Sequence, residues 1–169
     1  TEYGGINYLD KSTGRFKYFI NDPDKENSLS NNTVKDMIID SRGNLWIATY
    51  GGGLNYLDTK KNSFTVYKNI PGDNKSIQGN QVYSVFLDSK NNLWIGIRGG
   101  LDLVTDMEAM KFRHFVHNPD DLKSFPIELV NTIKEDSKGR IWVAGIDGIY
   151  YYDTAVSEFI NPFHDFSGG

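Results

Sequence analysis

The sequence has no cysteine, so it holds neither a disulfide framework nor a thiolate metal site, and redox chemistry says nothing about its compartment. It has no run of lysine or arginine. With a net charge of -4 and a pI of about 5.3, it offers little to a nucleic acid or an anionic bilayer. No long hydrophobic run or signal segment is present, which argues against a membrane span within these residues. What the chain does have is a hydrophobic share of 38% with 10 Phe, 10 Tyr and 3 Trp, too rich in large apolar side chains for disorder. A length of 169 residues suits one soluble domain or a piece of one. Because Thr1 falls in the middle of a pattern, a fragment of a longer protein is expected.

That pattern is an internal repeat. Trp46, Trp94 and Trp142 are spaced by 48 residues. The same offset links Asp40, Asp88 and Asp136, then Val34, Val82 and Val130, and upstream Ser28, Ser76 and Ser124. Within a copy, β-branched and aromatic runs of five to seven residues are broken by Gly, Asn, Asp and Pro, which predicts four strands: Thr33 to Asp40, Asn44 to Tyr50, Gly53 to Asp58 and Ser63 to Lys68. "DSRGN", "DSKNN" and "DSKGR" read as tight turns between the first and second strands. The second strand is apolar on both faces, Leu45 and Ile47 on one and Trp46 and Ala48 on the other, so it should be covered from both sides.

Four-stranded antiparallel sheets, sandwiched and repeated at this period, predict an all-β fold, a β-propeller. A parallel solenoid would have shorter repeats, and a β-sandwich gives no reason for a strict period. The opening "GGINYLD" aligns with a third strand, so about three and a half blades are expected: a half blade over 1–32 and blades over 33–80, 81–128 and 129–169. Open edges of such a piece would seek completion by further blades of the same parent chain or by a second copy.

"NDPDKENSLSNNTVKDMIIDSRGNLWIATYGGGLNYLD" resembles the two-component regulator propeller repeat, and the likeness runs to about Asp153. Such repeats fill the extracytoplasmic sensor region of hybrid two-component histidine kinases of Bacteroides-type bacteria. The resemblance implies a periplasmic propeller that detects breakdown products of complex glycans, in a homodimeric parent anchored in the inner membrane that signals to a cytoplasmic kinase. No cofactor is expected. The later copies depart from the pattern: "IRGGLDLV" lacks a glycine and places Asp102 where Asn is usual, and "AGIDGIYYYD" keeps only Gly148 of the hinge.

No catalytic constellation stands out. Gly51-Gly52-Gly53 leads into a strand without a lysine, so it reads as a crossover and not as a phosphate cradle. "DPDKEN" begins like a calcium loop but has Asn27 and Thr33 where glycine and a bidentate Glu are needed. His114 and His117 should point to opposite faces, and His164 sits in the divergent tail, so no metal is assigned. A glycan hydrolase or lyase would need paired acids; Asp36, Asp102 and Asp147 break the repeat, and Asp36, with Ser84 and Thr132 as equivalents, could line the channel. Fold-building residues should repeat, whereas ligand-reading residues should sit on loops and differ between copies. The loops from strand two to three offer Tyr50, Arg98 and Asp147; those from strand four to one offer Asn32, Asn80 and Asn131, with Lys25, Lys75 and Lys123 farther out. The trio Tyr50, Arg98 and Asp147 suits a polyhydroxylated ligand, neutral or anionic, such as an oligosaccharide, against the alternative of a structural or protein-interaction propeller.

Overall fold

The computed structural model describes residues 3–121, 124–153 and 155–163; Lys123 and His164 lie outside them. The strands are β1 (Ile6–Asp10), β2 (Arg15–Phe19), β3 (Val34–Ile39), β4 (Leu45–Thr49), β5 (Gly53–Asp58), β6 (Ser63–Tyr67), β7 (Val82–Leu87), β8 (Leu93–Ile97), β9 (Gly100–Asp106), β10 (Lys111–Val116), β11 (Val130–Glu135), β12 (Ile141–Gly145), β13 (Gly148–Asp153) and β14 (Glu158–Ile160). They form one two-stranded sheet, β1-β2, and three four-stranded antiparallel sheets, β3 to β6, β7 to β10 and β11 to β14. No helix among the described residues is long and apolar enough to cross a membrane.

Each hairpin between the first two strands of a blade is built by one aspartate. Asp40 Oδ1 accepts from Arg42 N and Asn44 N, Asp88 Oδ1 from Lys90 N and Asn92 N, and Asp136 Oδ1 from Lys138 N and Arg140 N, all at 2.8 to 3.0 Å. The carboxylate thus copies the bonds of a backbone turn. Strand three begins at a glycine for a steric reason: a Cβ on Gly53 would lie 2.3 Å from Tyr67 O, and one on Gly100 2.1 Å from Phe115 O.

The blades stack through apolar faces. Trp46, Ala48 and Leu54 of the first full blade pack with Ile77, Val82, Val85 and Leu93 of the next. Trp94 and Leu101 do the same against Phe125, Ile127, Val130 and Ile133 of the last. The opposite face of the first full blade, with Ile47 and Leu57, meets Ile6 and Leu29. The two-sided covering of the second strand and the interblade role of the tryptophans follow directly: Trp46 and Trp94 are buried, while Trp142, in the last blade, is half-buried.

The innermost strands β3, β7 and β11 lie against one another in order. Each carries a register shift at the same place, between Val34 and Asp36, Val82 and Ser84, and Val130 and Thr132. The residue after the shift reaches the next blade: Asp36 Oδ2 accepts from Val85 N at 3.0 Å, and Ser84 Oγ donates to Val130 O at 3.4 Å. Asp36 is therefore a clip between blades and not a free acid of the channel.

Candidate functional site

The loops from strand two to three and from strand four to one do share an edge of the fold. Gly51 N and Gly53 N both donate to Asn80 O, at 2.9 and 3.0 Å, and Tyr50 and Gln81 form a β-bridge, as do Arg98 and Leu129.

Asparagines expected to read a ligand also hold the loops of this edge in shape. Asn32 Oδ1 accepts from Asn21 N at 2.7 Å while Asn21 Nδ2 donates to Leu29 O at 2.7 Å. Asn80 and Asn69 repeat that pair on Ile77 O, at 2.8 and 2.9 Å. In the last copy His117 Nδ1 donates to Phe125 O at 2.8 Å, and the column of Asn32 and Asn80 continues in Glu128. Asn32 and Asn80 hence spend their carbonyls on loop shape. Of the outer lysines, Lys25 pairs with Asp22 at 2.7 Å, and Lys75 is exposed on its loop.

Asn131 belongs to a different column. It stands on β11 at the position held by Lys35 on β3 and Tyr83 on β7, three unlike side chains at the loop end of the innermost strands. Tyr50 leans on this column. Its ring meets Tyr83 edge to face with centroids 5.8 Å apart, and Lys35 Nζ sits 5.4 Å from the Tyr50 centroid. Around them lies an open cavity of about 650 Å³ lined also by Asn21, Asn31 and Asn32. Burial pushes the Tyr83 phenol above its ordinary value, reinforced by Tyr50 and opposed by Arg98.

Arg98 and Asp147 fall on the neighbouring part of the edge, bound to each other's surroundings. Arg98 Nε donates to Glu128 Oε1 at 3.3 Å, and Glu128 N donates to Asp147 Oδ2 at 2.7 Å. At the 48-residue offset the partner of Tyr50 and Arg98 is Ile146, so Asp147 lies one residue past it, beside Gly148. The structure thus brings Tyr50 together with Lys35 and Tyr83, and Arg98 together with Glu128 and Asp147. Lys35 and Tyr83 were missed by the sequence reading; the signal was available, since they share a column with Asn131 and differ in kind.

The third acid that breaks the repeat is buried. Asp102 accepts from Gln78 N at 2.9 Å, from Gln78 Nε2, and from His114 Nδ1 at 2.7 Å. Its counterpart Asn55 accepts from Ser30 N at 2.9 Å. In the last blade Pro126 removes the backbone donor and Tyr150 stands where the acceptor would be, so donor and acceptor are lost together. His114 Nε2 faces Asn74 O at 2.8 Å. Both ring nitrogens therefore meet oxygens that only accept, and the doubly protonated ring alone satisfies both. The bond to Asp102 raises the His114 pKa, with burial opposing it. His114 and His117 go to separate partners, and no group of three or more metal-ligating side chains occurs among the described residues.

The model of the two component regulator propeller matches residues 28–51, 76–99 and 124–147. The three repeats are two component regulator propeller repeats. No curated protein matches the chain. A solved structure named as the extracellular domain of a hybrid two component system of B. thetaiotaomicron superposes with a TM-score of 0.79 at 26% identity, covering 95% of this chain and 21% of that one. A second extracellular domain of this description from B. thetaiotaomicron gives 0.70 at 22%, covering 97% and 22%. A catalytically inactive virginiamycin B lyase from Staphylococcus aureus, solved with quinupristin, gives 0.63 at 19% and covers 94% and 48%; it shares the fold. This chain spans about one fifth of the length of these two extracellular domains. The regulator propeller repeats here thus carry a scaffold common to extracellular domains of hybrid two component systems and to at least one enzyme, and function has to be argued from the loop edge.

Proposed function

We propose that this chain is part of the extracytoplasmic, periplasmic sensing propeller of a hybrid two component system and that it recognises an oligosaccharide at the edge built by Tyr50, Tyr83 and Lys35, without cleaving it. The observation that carries the reading is the contrast on that edge. Asn21, Asn32, Asn69 and Asn80 repeat and each commit one end of the amide to loop shape, while Lys35, Tyr83 and Asn131 occupy one column with three chemistries that the fold does not require. An aromatic pair beside a polar open cavity suits the alternating apolar and hydroxyl surfaces of a sugar. Likeness to extracellular domains of hybrid two component systems supports the placement and a histidine kinase in the same parent. Against cleavage, Asp36, Asp102 and Asp147 are each hydrogen-bonded within the scaffold to a different segment.

In the intact protein, further strands of the parent chain cover the first full blade where Met37 and Ile39 are exposed, as Val85 and Ile133 are covered in the later blades. The ligand then signals by binding one arrangement of a dimeric parent better than another. The test is calorimetric titration of the whole sensor region with a panel of oligosaccharides, beside Tyr50→Ala. Heat from one glycan class, weakened by about tenfold in Tyr50→Ala and without new reducing ends, is the expected result. A folded protein that gives no heat with any glycan would move the function to protein interaction, and new reducing ends would make it an enzyme.

A further inference from the structure

Charge on the loop edge is unevenly balanced. Arg98 has a carboxylate partner in Glu128 at 3.3 Å. Lys35 is exposed, its ammonium rests over the Tyr50 ring, and no carboxylate lies within ion-pairing distance of it among the described residues. Among the described residues that line the cavity there is no acid; Lys35 is their one charged side chain, beside tyrosines, asparagines and a threonine. Nor does the fold need a cation there, because the equivalents of Lys35 are Tyr83 and Asn131. The chain as a whole is acidic, with a net charge of -4, so its long-range field does not draw anions in and a local cation must.

We infer, on the saccharide reading above, that this cavity takes an acidic oligosaccharide, one sugar unit lying against Tyr50 and Tyr83 with its anionic group paired to the Lys35 ammonium. The amides supply the rest of the contact. Asn21 and Asn32 each commit one end to the loop, through Asn21 Nδ2 on Leu29 O and Asn32 Oδ1 on Asn21 N, which leaves Asn21 Oδ1 and Asn32 Nδ2 to accept from and donate to sugar hydroxyls. A lysine reads charge without the bidentate geometry of an arginine, so carboxylate and sulfate are both within the class, and the probes must tell them apart.

The experiment is titration of the full-length protein with oligogalacturonate (carboxylate only), a carrageenan oligosaccharide (sulfate only) and maltotriose (neutral), for the native protein, Lys35→Met and Lys35→Arg. The expected result is binding of one acidic probe that weakens by about 10- to 100-fold in Lys35→Met, is largely kept in Lys35→Arg, and weakens as salt is raised. Melting temperature should not move in either variant, since Lys35 is exposed and bonded to no backbone group. Acidic binding that Lys35→Met leaves unchanged overturns the inference. So does heat from neutral glycans alone in the wider panel, which would leave the saccharide reading standing. Silence from every glycan would overturn both.

Discussion

Asp88 and Trp94 show what repetition does to a side chain. Asp88 holds its turn with Oδ1 and accepts the Trp94 indole N–H on Oδ2 at 3.0 Å; Asp136 and Trp142 do the same at 2.8 Å. In the first full blade Tyr56 donates its hydroxyl to Asp40 Oδ2 at 3.1 Å instead, and Trp46 Nε1 is buried with no hydrogen-bond partner among the described residues. Removal of Trp94, buried between two blades, should cost about 3 to 5 kcal/mol in urea unfolding. Trp142→Ala should cost less, because that ring is only half-buried; an equal loss would mean the tryptophans act within a blade. Residues of this kind were legible in the sequence because the residue type recurs at the offset. Lys35 was legible only as a departure from the repeat, because its column keeps the position and changes the chemistry. Arg98 was legible as a loop cation, but its neutralisation was hidden, since Glu128 stands in the column of Asn32 and Asn80.

Strands and turns were legible to within about one residue, since alternation and turn chemistry are local. The bulge on each innermost strand was not: Asp36 stands where Ser84 and Thr132 carry hydroxyls, and a register shift leaves no mark in composition. Asp36→Ala strands Val85 N, on a buried residue, and should cost about 1 to 3 kcal/mol by chemical denaturation. A cross-strand pair is equally invisible before the register is known, and His114 facing Asp102 is the example. Its pH dependence has a definite sign. The folded His114 pKa lies above its ordinary 6.5, so the stabilisation is complete below that value and is lost as pH rises through the folded one. On neutralisation the ring keeps one N–H, and either the bond to Asp102 or the one to Asn74 O is given up. Melting temperature should therefore fall as pH rises above the ordinary 6.5 and through the folded pKa, with amide exchange rising near residue 74, and His114→Phe should flatten that slope. A slope unchanged in the variant would place the titrating group elsewhere.

The whole molecule is a stack in which each full blade lends one apolar face to the next, so stability is shared between neighbours and the loop edge is left to vary. That division was readable from the 48-residue period, which fixes the architecture while saying nothing about which varying residues converge. Convergence depends on how strands of different blades align, and that brought Tyr50 to Tyr83, while Lys35 meets Tyr50 across the first hairpin of their own blade. The central claim is that repeated residues build the propeller and unlike residues on its loop edge read a sugar. Its most direct test is a paired measurement on Tyr50→Ala, melting temperature and heat of oligosaccharide binding on the same sample. An unchanged melting temperature with binding weakened about tenfold is predicted; a lowered melting temperature with binding intact would contradict it, because Tyr50 would then belong to the scaffold.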